Sequence, residues 1–314
     1  MLYDYTGEYA KSSVTRPKNT SLLGRLLAQQ LVRHGETVVD VPATLTARIR
    51  RLSGHSGRKT DEFDARSVAI AAAGNRRLRR VEPEDFSVVL GLLVDRRWHL
   101  VSHQQKTICR LHALLAELRP GGAKLHLSIA QAAKILRSLR PVTTIDVERK
   151  QIAGELLADW RWLHRRIPDI AQRIRDALAA HGCTLTQIYG IGDVGAATIV
   201  AIVGDVRRFP TRGHFAAFNG TAPLDASSGD VIRNRHNRGG NRQINKVIHL
   251  AAVTQIRNGA QGRDHYLRKI TEGKGRGEAM RSLKRQLSDV IYRRLLADAR
   301  RREAVREGQH GNET

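Results

Sequence analysis

Apolar positions recur at helical spacing along much of the chain, and one short stretch instead has the character of a β-strand. Residues 22–35 predict an amphipathic helix, and residues 61–74 predict a helix whose first turn is acidic, as the helix dipole favours. Between them, residues 37–42 (TVVDVP) predict a strand that ends at its proline, and residues 48–60 predict a basic loop. A helix followed by a β-branched strand is typical of an α/β layer, so we expect a partial α/β N-terminal portion.

Two much longer helical patterns follow, over residues 84–118 and roughly 145–180. The first ends at Pro120-Gly121-Gly122, and the second contains Pro168, which predicts a kink or a break. Helices of this length predict a helical arm. A coiled-coil arm that supports dimerisation and plain packing in a helical bundle are equally open.

Smaller residues, more glycines and shorter elements follow Gly182, so we place a domain boundary there. The fold expected is mainly α, with the partial α/β portion first, the arm second and a small helical domain last. The predicted parts are residues 1–80, 81–181 and 182–300, with a basic flexible tail over 301–314.

The charge of the chain predicts a polyanionic partner. Its 54 Lys and Arg stand against 30 Asp and Glu, which gives a net charge of +24 and a pI near 11.1. Residues 231–314 hold 20 of these cations and only 8 carboxylates, so half of the excess lies there. A nucleic acid fits this charge better than a membrane surface does. Aromatic residues make up only 4%, which disfavours base stacking as the main mode of binding.

The sequence predicts a cytoplasmic protein without a membrane anchor. No run of about 18 apolar residues occurs, and the first residues lack the apolar segment of a signal peptide. Cys109 and Cys183 stand in apolar sequence without a Cys-x-x-Cys pair, so we expect reduced, structural thiols.

Gly190 and Gly192, in "YGIGDVGAATIV", lie between two helical segments, the pattern of a helix-hairpin-helix. Glycines allow a tight turn there, and the amides at the start of the next helix can bind a phosphate without reading base sequence. A glycine-rich turn in a small helical domain is the alternative. The charge favours binding to the DNA backbone.

Asp61 and Asp64 are three residues apart at a helix start, so their carboxylates share one face. Such a pair suits a hard divalent cation such as Mg²⁺. Acidic residues are also favoured at a helix N-terminus for capping alone, and the residues by themselves favour that second interpretation.

Ser227 and Ser228 come directly before a basic, glycine-containing loop. A serine hydroxyl can attack a phosphodiester where cations stabilise the charge that develops on phosphorus. The cations that could bind phosphate follow in the loop and in the helix after it: Arg233, Arg235, Arg238, Arg242 and Lys246. Serines before a glycine are more often plain turn residues, which is the alternative.

These three stretches, in this order, resemble the "insertion sequence one-ten" family of transposases, which is related to the Piv-type DNA invertases. The resemblance rests on "VVDVPATLTARIRRLSG…RKTDEFDARSVA", "IGDVRRFPTRGHFAAFNGTAPLDASSGD" and "RGGNRQINKVIHLAA", and it covers residues 22–296. It implies a RuvC-like (RNase H-like) domain with a D-E-D-D carboxylate set, a coiled-coil arm, and a C-terminal domain with a nucleophilic serine. It also implies recombination guided by a structured RNA.

Carried onto this chain, the resemblance places Asp61 and Asp64 on the last two carboxylates of that set, as ligands of Mg²⁺. It places the nucleophile in the Ser-Ser-Gly stretch, where the spacing favours Ser227 over Ser228 while both stay candidates. DNA, a structured guide RNA and at least one further copy of the chain are the partners it implies.

The chain departs from the family pattern at the first two carboxylates. No strand with the first aspartate precedes the matching part, and Lys18 stands at the position of the glutamate. A lysine there opposes metal binding electrostatically. We therefore expect an N-terminally truncated copy. It is either an active recombinase or an inactive remnant that binds DNA and RNA, and an unrelated helix-hairpin-helix protein is a distant third hypothesis.

Overall fold

A computed structural model describes residues 22–52, 61–75, 78–121, 126–225, 234–235 and 239–310. These residues form a mainly helical fold with eleven α-helices and two short antiparallel ladders, which confirms the predicted helical character. The chain divides into two compact units. The first unit comprises residues 1–85 and 213–245, and the second unit comprises residues 86–212 and 246–314.

The N-terminal part of the first unit is built from three helices and one ladder. The helices are α1 (Leu22–Arg33), α2 (Ala43–Leu52) and α3 (Asp61–Gly74), and α2 packs against α3. Strand β1 (Val39–Asp40) pairs antiparallel with β2 (Arg79–Arg80).

The strand predicted over residues 37–42 is present in a shorter form as β1, whereas the loop predicted over residues 48–60 is wrong for its described part. Residues 48–52 belong to α2. Arginine is a good helix former, and the cations Arg50 and Arg51 in the last turn interact favourably with the helix dipole. The density of positive charge therefore did not indicate a loop.

The remainder of the first unit comes from the C-terminal half of the sequence. It contains most of α8 (Arg212–Asn219), the hairpin strands β3 (Leu224–Asp225) and β4 (Asn234–Arg235), and the start of α9 (Arg242–Arg257).

The second unit is organised around the two predicted long helices. They are α4 (Phe86–Leu118) and α6 (Thr144–His181), which pack against each other along their length, and the shorter α5 (Ile129–Ser138) packs on α6. Pro168 lies inside α6 without ending it, so the predicted break is absent. One apolar cluster joins the three helices, and its members are Leu111, Leu115, Ala132, Ala133, Leu136, Leu139, Ala153, Leu157 and Trp160.

Local hydrogen bonds define the ends of these helices. Ser128 and Gln131 form a reciprocal capping box at the start of α5. Thr143 Oγ1 accepts from Asp146 N at 3.1 Å at the start of α6. Hydrogen bonds from Thr143 and Arg149 lower the pKa of Asp146, which keeps a negative charge where the helix dipole favours it. Gly182, at φ +68°, ends the helix in the left-handed conformation.

The rest of the second unit contains α7 (Asp193–Val203), the remainder of α9, α10 (Gln261–Thr271) and α11 (Arg276–His310), with α10 packed on α11. Asp298 on α11 is buried and accepts hydrogen bonds from Thr184 N at 2.9 Å and Thr184 Oγ1 at 2.7 Å. The four-part division predicted from the sequence, with its boundary near 182, stays a prediction.

The described residues contain no helix that is both long enough and apolar enough to span a membrane. Cys109 and Cys183 are free thiols. Cys109 is exposed, unlike its apolar sequence context suggested, whereas burial raises the pKa of the half-buried Cys183 thiol.

Candidate nucleic-acid and catalytic site

The candidate serines come in the sequence between β3 and β4, the two strands of a hairpin in the first unit. Leu224 pairs with Arg235 and Asp225 with Asn234 in the two-residue antiparallel ladder that flanks the connection. Ser227, Ser228, Arg233 and Arg238 lie outside the described residues, and only the backbone of Arg235 is described. The structure therefore describes the base of this hairpin, which we call the serine hairpin (residues 224–235).

Two glycines hold the chain segments on either side of the serine hairpin in close contact. Gly220 has φ +74°. A Cβ atom on Gly240 would lie 2.2 Å from Gly220 N and 2.3 Å from Gly220 Cα. Backbone atoms cannot move aside as a flexible side chain can, so only glycine fits at position 240. Beside this contact, Asn241 N donates to Phe218 O at 2.7 Å.

Three asparagines complete this base with a hydrogen-bond network. Asn219 is fully buried, and its Oδ1 accepts from Thr221 N at 3.1 Å and Thr221 Oγ1 at 2.6 Å. Asn245 Nδ2 donates to Asn219 O at 2.8 Å. Asn241 Oδ1 accepts from Gln243 N at 3.1 Å and Ile244 N at 3.0 Å, so Asn241 caps α9.

Sequence reasoning missed Asn219, Asn241 and Asn245 as site residues. Two signals could have found them. Asn219-Gly220 is a turn dipeptide, and Asn241 stands directly before the apolar periodicity of α9. The dependence of Gly240 on Gly220 is a contact between distant residues and has no local signal.

Arg242 and Lys246 lie four residues apart on α9, and both are exposed. The opposite side of the helix is apolar, with Ile244 and Ile248 fully buried. This arrangement agrees with the periodicity of the sequence. A cation at the first position of a helix adds to the positive end of the helix dipole, so the start of α9 attracts anions.

The glycines of the predicted helix-hairpin-helix have different surroundings. Gly190 has φ +90°, and a Cβ there would lie 2.9 Å from both Ala251 Cα and Ala251 O on α9. Gln255 Nε2 of α9 also donates to Tyr189 O at 2.7 Å. Gly192, by contrast, is exposed at the N-cap of α7 with nothing within 4 Å of its Cβ position. Gly190 is thus required by packing, and the amides near Gly192 are placed where a phosphate can approach.

Asp64, one of the two predicted metal ligands, is paired inside the first unit. It is 2% exposed, and its Oδ1 accepts from Arg50 Nη1 on α2 at 2.8 Å. Asp61 is the first residue of α3, and its side chain is outside what the structure describes. The residues between the two helices, 53–60, are likewise not described.

The described residues do not fit a divalent cation at this position. They contain no group of three or more His, Cys, Asp or Glu side chains that could hold one. The guanidinium of Arg50 already neutralises the carboxylate of Asp64, and a second cation beside it would be repelled.

Two family models match the chain. The model of the IS116/IS110/IS902 family of transposases matches residues 183–267, which include the serine hairpin and its base. A transposase model of the DEDD type of IS110 elements matches residues 3–120, which include Asp61 and Asp64.

Curated relatives extend the similarity over most of the chain. A 42 kDa protein of insertion element IS900 from Mycobacterium paratuberculosis is 30% identical over 320 residues, covering 86% of this chain and 79% of the relative. A 44.8 kDa protein of insertion element IS116 from Streptomyces clavuligerus is 28% identical over 322 residues, with the same coverage. A 43.6 kDa protein of insertion element IS110 from Streptomyces coelicolor is 33% identical over 155 residues, or 48% of this chain and 37% of the relative.

These matches define the protein as a transposase of an insertion sequence, and transposases bind DNA. The chain belongs to the IS116/IS110/IS902 family, as its sequence motifs predicted. The DEDD transposase domain implies metal-dependent catalysis in general.

Proposed function

We propose that this transposase acts as a site-specific recombinase that cuts and rejoins DNA through a serine of the serine hairpin. The observation that carries the proposal is the rigid base of that hairpin. Gly220, Gly240 and the asparagine network fix the segments that lead into and out of it. A nucleophile needs such support, because a small displacement from the reacting phosphorus costs much of the rate.

The step is a transesterification. The Oγ atom of Ser227, or of Ser228, forms a bond to phosphorus while the bond from phosphorus to one DNA oxygen breaks. The serine loses its proton, the departing DNA strand ends in a hydroxyl, and the enzyme holds a phosphoserine link. Attack by a second DNA hydroxyl reverses these changes and joins a new pair of ends without net hydrolysis.

The cations after the serines bind phosphates in this proposal. Arg242 and Lys246 are exposed at the start of α9, where the helix dipole adds to their positive charge. Arg233, Arg235 and Arg238, nearer to the serines in sequence, stabilise the charge that develops on phosphorus. The amides near Gly192 contact the DNA backbone, and Gly190 keeps that turn against α9.

Asp64 takes no part in these steps, and Asp61 stays a predicted metal ligand whose side chain lies outside the described residues. The resemblance assigns Mg²⁺ to them within a RuvC-like domain, but the carboxylate of Asp64 is buried and paired with Arg50. The same observation favours a second candidate function. In it, the chain is an inactive family member that still binds DNA and RNA through its basic regions.

A structured guide RNA and a second copy of the chain complete the proposal. The RNA is implied by the family resemblance and is compatible with the net charge of +24. A coiled-coil dimer is supported by large apolar side chains exposed on the long helices, with Leu92 at 64%, Trp98 at 65% and Ile145 at 64%. Recombination needs two DNA ends held together, which a dimer provides.

Strand exchange with the element's own ends, guide RNA and Mg²⁺ tests the proposal. The purified chain should form a covalent protein–DNA adduct that survives denaturing electrophoresis. The Ser227→Ala/Ser228→Ala double variant should form none while it binds DNA normally, and the two single variants should identify the nucleophile. Normal binding by the native chain with no adduct under any condition would establish the inactive alternative.

A further inference from the structure

Five exposed basic and imidazole side chains form one line along α4. They are spaced by three and four residues in turn, so they lie on one side of the helix. We call this line the α4 stripe, and its members are Arg96, His99, His103, Lys106 and Arg110.

The α4 stripe is exposed and lies about a quarter turn around the helix axis from the packed side. The residues that α4 buries over the same length are Leu93, Leu100, Thr107 and Leu111, seven or four residues apart. The stripe therefore plays no part in the apolar core of the second unit, and the fold does not require cations at these positions.

Carboxylates are absent from residues 96–116, which contain the whole α4 stripe. The nearest ones on α4 are Asp95 and Glu117, and Glu117 pairs with Arg149 of α6 at 2.9 Å. Among the described residues, Arg96, Lys106 and Arg110 form no ion pair. A solvated helix face usually mixes both signs of charge at a spacing of four residues, as stabilising pairs require. A face of one sign indicates a partner of the opposite sign.

The length of the α4 stripe matches a nucleic-acid backbone. From Arg96 to Arg110 the helix rises by about 21 Å, and duplex DNA carries one negative charge per roughly 1.7 Å of its axis. Several phosphates therefore lie within reach of the stripe at once. Its arginines and lysine suit phosphate contacts, which position a duplex without reading its sequence.

We infer that the α4 stripe binds the phosphate backbone of duplex DNA. The inference rests on the proposed function in that DNA is the substrate, and it assigns a second DNA contact to the long helices.

The experiment measures DNA affinity of the full-length chain against salt concentration, by fluorescence anisotropy with a labelled 30-base-pair duplex. The test variant is Arg96→Gln/Lys106→Gln/Arg110→Gln. The control is Lys134→Gln/Arg137→Gln/Arg300→Gln, which removes the same charge from exposed positions on α5 and α11. Circular dichroism and thermal unfolding check that both variants fold, and Arg96→Lys/Arg110→Lys tests whether charge alone suffices.

Each lost phosphate contact should lower the slope of log K against log salt by about 0.9, so the test variant should lose between about 2 and 3 units of slope. Its affinity at 100 mM salt should fall about tenfold or more relative to the control, and the lysine variant should retain the native slope. Equal slopes for the two triple variants would overturn the inference. The inference would also be overturned if the test variant lost affinity for an RNA duplex of the same length while its affinity for the DNA duplex stayed unchanged.

The covalent adduct is scored separately, at DNA concentrations that saturate the protein. Adduct formation by the α4 stripe variant at saturation leaves the proposed function intact and assigns the stripe to binding alone. Absence of an adduct from the native chain contradicts the proposed chemistry, and the DNA affinities of the two triple variants can still be compared.

Discussion

Asp64 and Asn241 lie in the two regions that the sequence associates with chemistry, and their side chains are used differently. The carboxylate of Asp64 is buried and paired with Arg50, so its charge is neutralised inside the first unit. Asn241 instead caps α9 and fixes the base of the serine hairpin, while Arg242 next to it stays exposed. Among the described residues, internal pairing thus involves a candidate metal ligand in the first region and only framework groups in the second. Framework pairing supports a site, whereas pairing of the reactive group itself competes with one.

Gly240→Ala should have the largest effect on the base of the serine hairpin. The new Cβ would lie 2.2 Å from Gly220 N, and the backbone there must shift. We expect a loss of about 3 kcal/mol or more in the free energy of unfolding, measured with guanidinium chloride.

Gly154→Ala is the matched control for this substitution. It lies within α6 with nothing within 4 Å of its Cβ position, so it should be neutral or stabilise by up to about 1 kcal/mol. If the two alanine variants unfold at the same denaturant concentration, the close contact at the hairpin base is wrong.

Arg50→Ala should lower the free energy of unfolding through the region around Asp64. It leaves the carboxylate of Asp64 buried without its partner, and the cost should be about 2–3 kcal/mol, since the exposure of Arg50 allows some solvent access. The double variant Arg50→Met/Asp64→Leu should recover most of this stability, because it removes both charges together. The midpoint of chemical unfolding for the three proteins checks this.

The same variants separate the two interpretations of Asp64. If Arg50→Ala is as stable as the native chain and binds Mn²⁺ more tightly in calorimetry, the carboxylate of Asp64 is a metal ligand. Destabilisation without a gain in Mn²⁺ affinity supports the structural ion pair.

Arg242→Gln/Lys246→Gln should weaken DNA binding by about tenfold at 100 mM salt, or about 1.4 kcal/mol, and lower the salt slope by about 2 units. This loss of affinity and of slope is what the removal of two phosphate contacts at the start of α9 should cause. Anisotropy with a labelled duplex measures it, and the control is Lys134→Gln/Arg137→Gln, which removes the same charge from exposed positions on α5. An unchanged slope would remove α9 from the DNA interface.

Asn241→Ala should have the smallest effect, a loss of about 1 kcal/mol of stability from the missing cap. Asn241→Ser should restore most of it, because a serine oxygen also accepts from the first helical amides. A thermal unfolding midpoint for Asn241→Ala equal to that of the native chain would show that the cap contributes nothing.

Periodicity and motifs allowed much of the fold and the family to be predicted. The long helices α4 and α6 follow from apolar spacing, and their ends lie within about two residues of the predicted ones. The break predicted at Pro168 is absent because neighbouring helices stabilise α6 through tertiary packing. The rule that proline ends a helix considers only the local sequence. Residues 48–52 misled because high positive charge was taken as a loop signal.

The support of the candidate site was not predictable from the sequence, and its reactive residues stay predictions. Ser227, Ser228 and the following arginines are proposed from composition and resemblance. Three supporting contacts join residues that are distant in sequence, so the spacing of motifs does not predict them. They are the contacts of Gly240 with Gly220, of Gly190 with Ala251 and of Asp64 with Arg50. Whether the carboxylate of Asp64 is free to bind a metal ion depends on its contact with Arg50.

Mapping of the covalent DNA adduct by mass spectrometry decides whether the serine hairpin carries the chemistry. After trypsin and nuclease digestion, both candidate serines fall in one peptide, residues 213–233. We expect the added nucleotide mass on that peptide alone, at Ser227 or Ser228, and none in the Ser227→Ala/Ser228→Ala variant. A nucleotide on any other peptide, or an adduct that persists in the double variant, would contradict the proposed nucleophile.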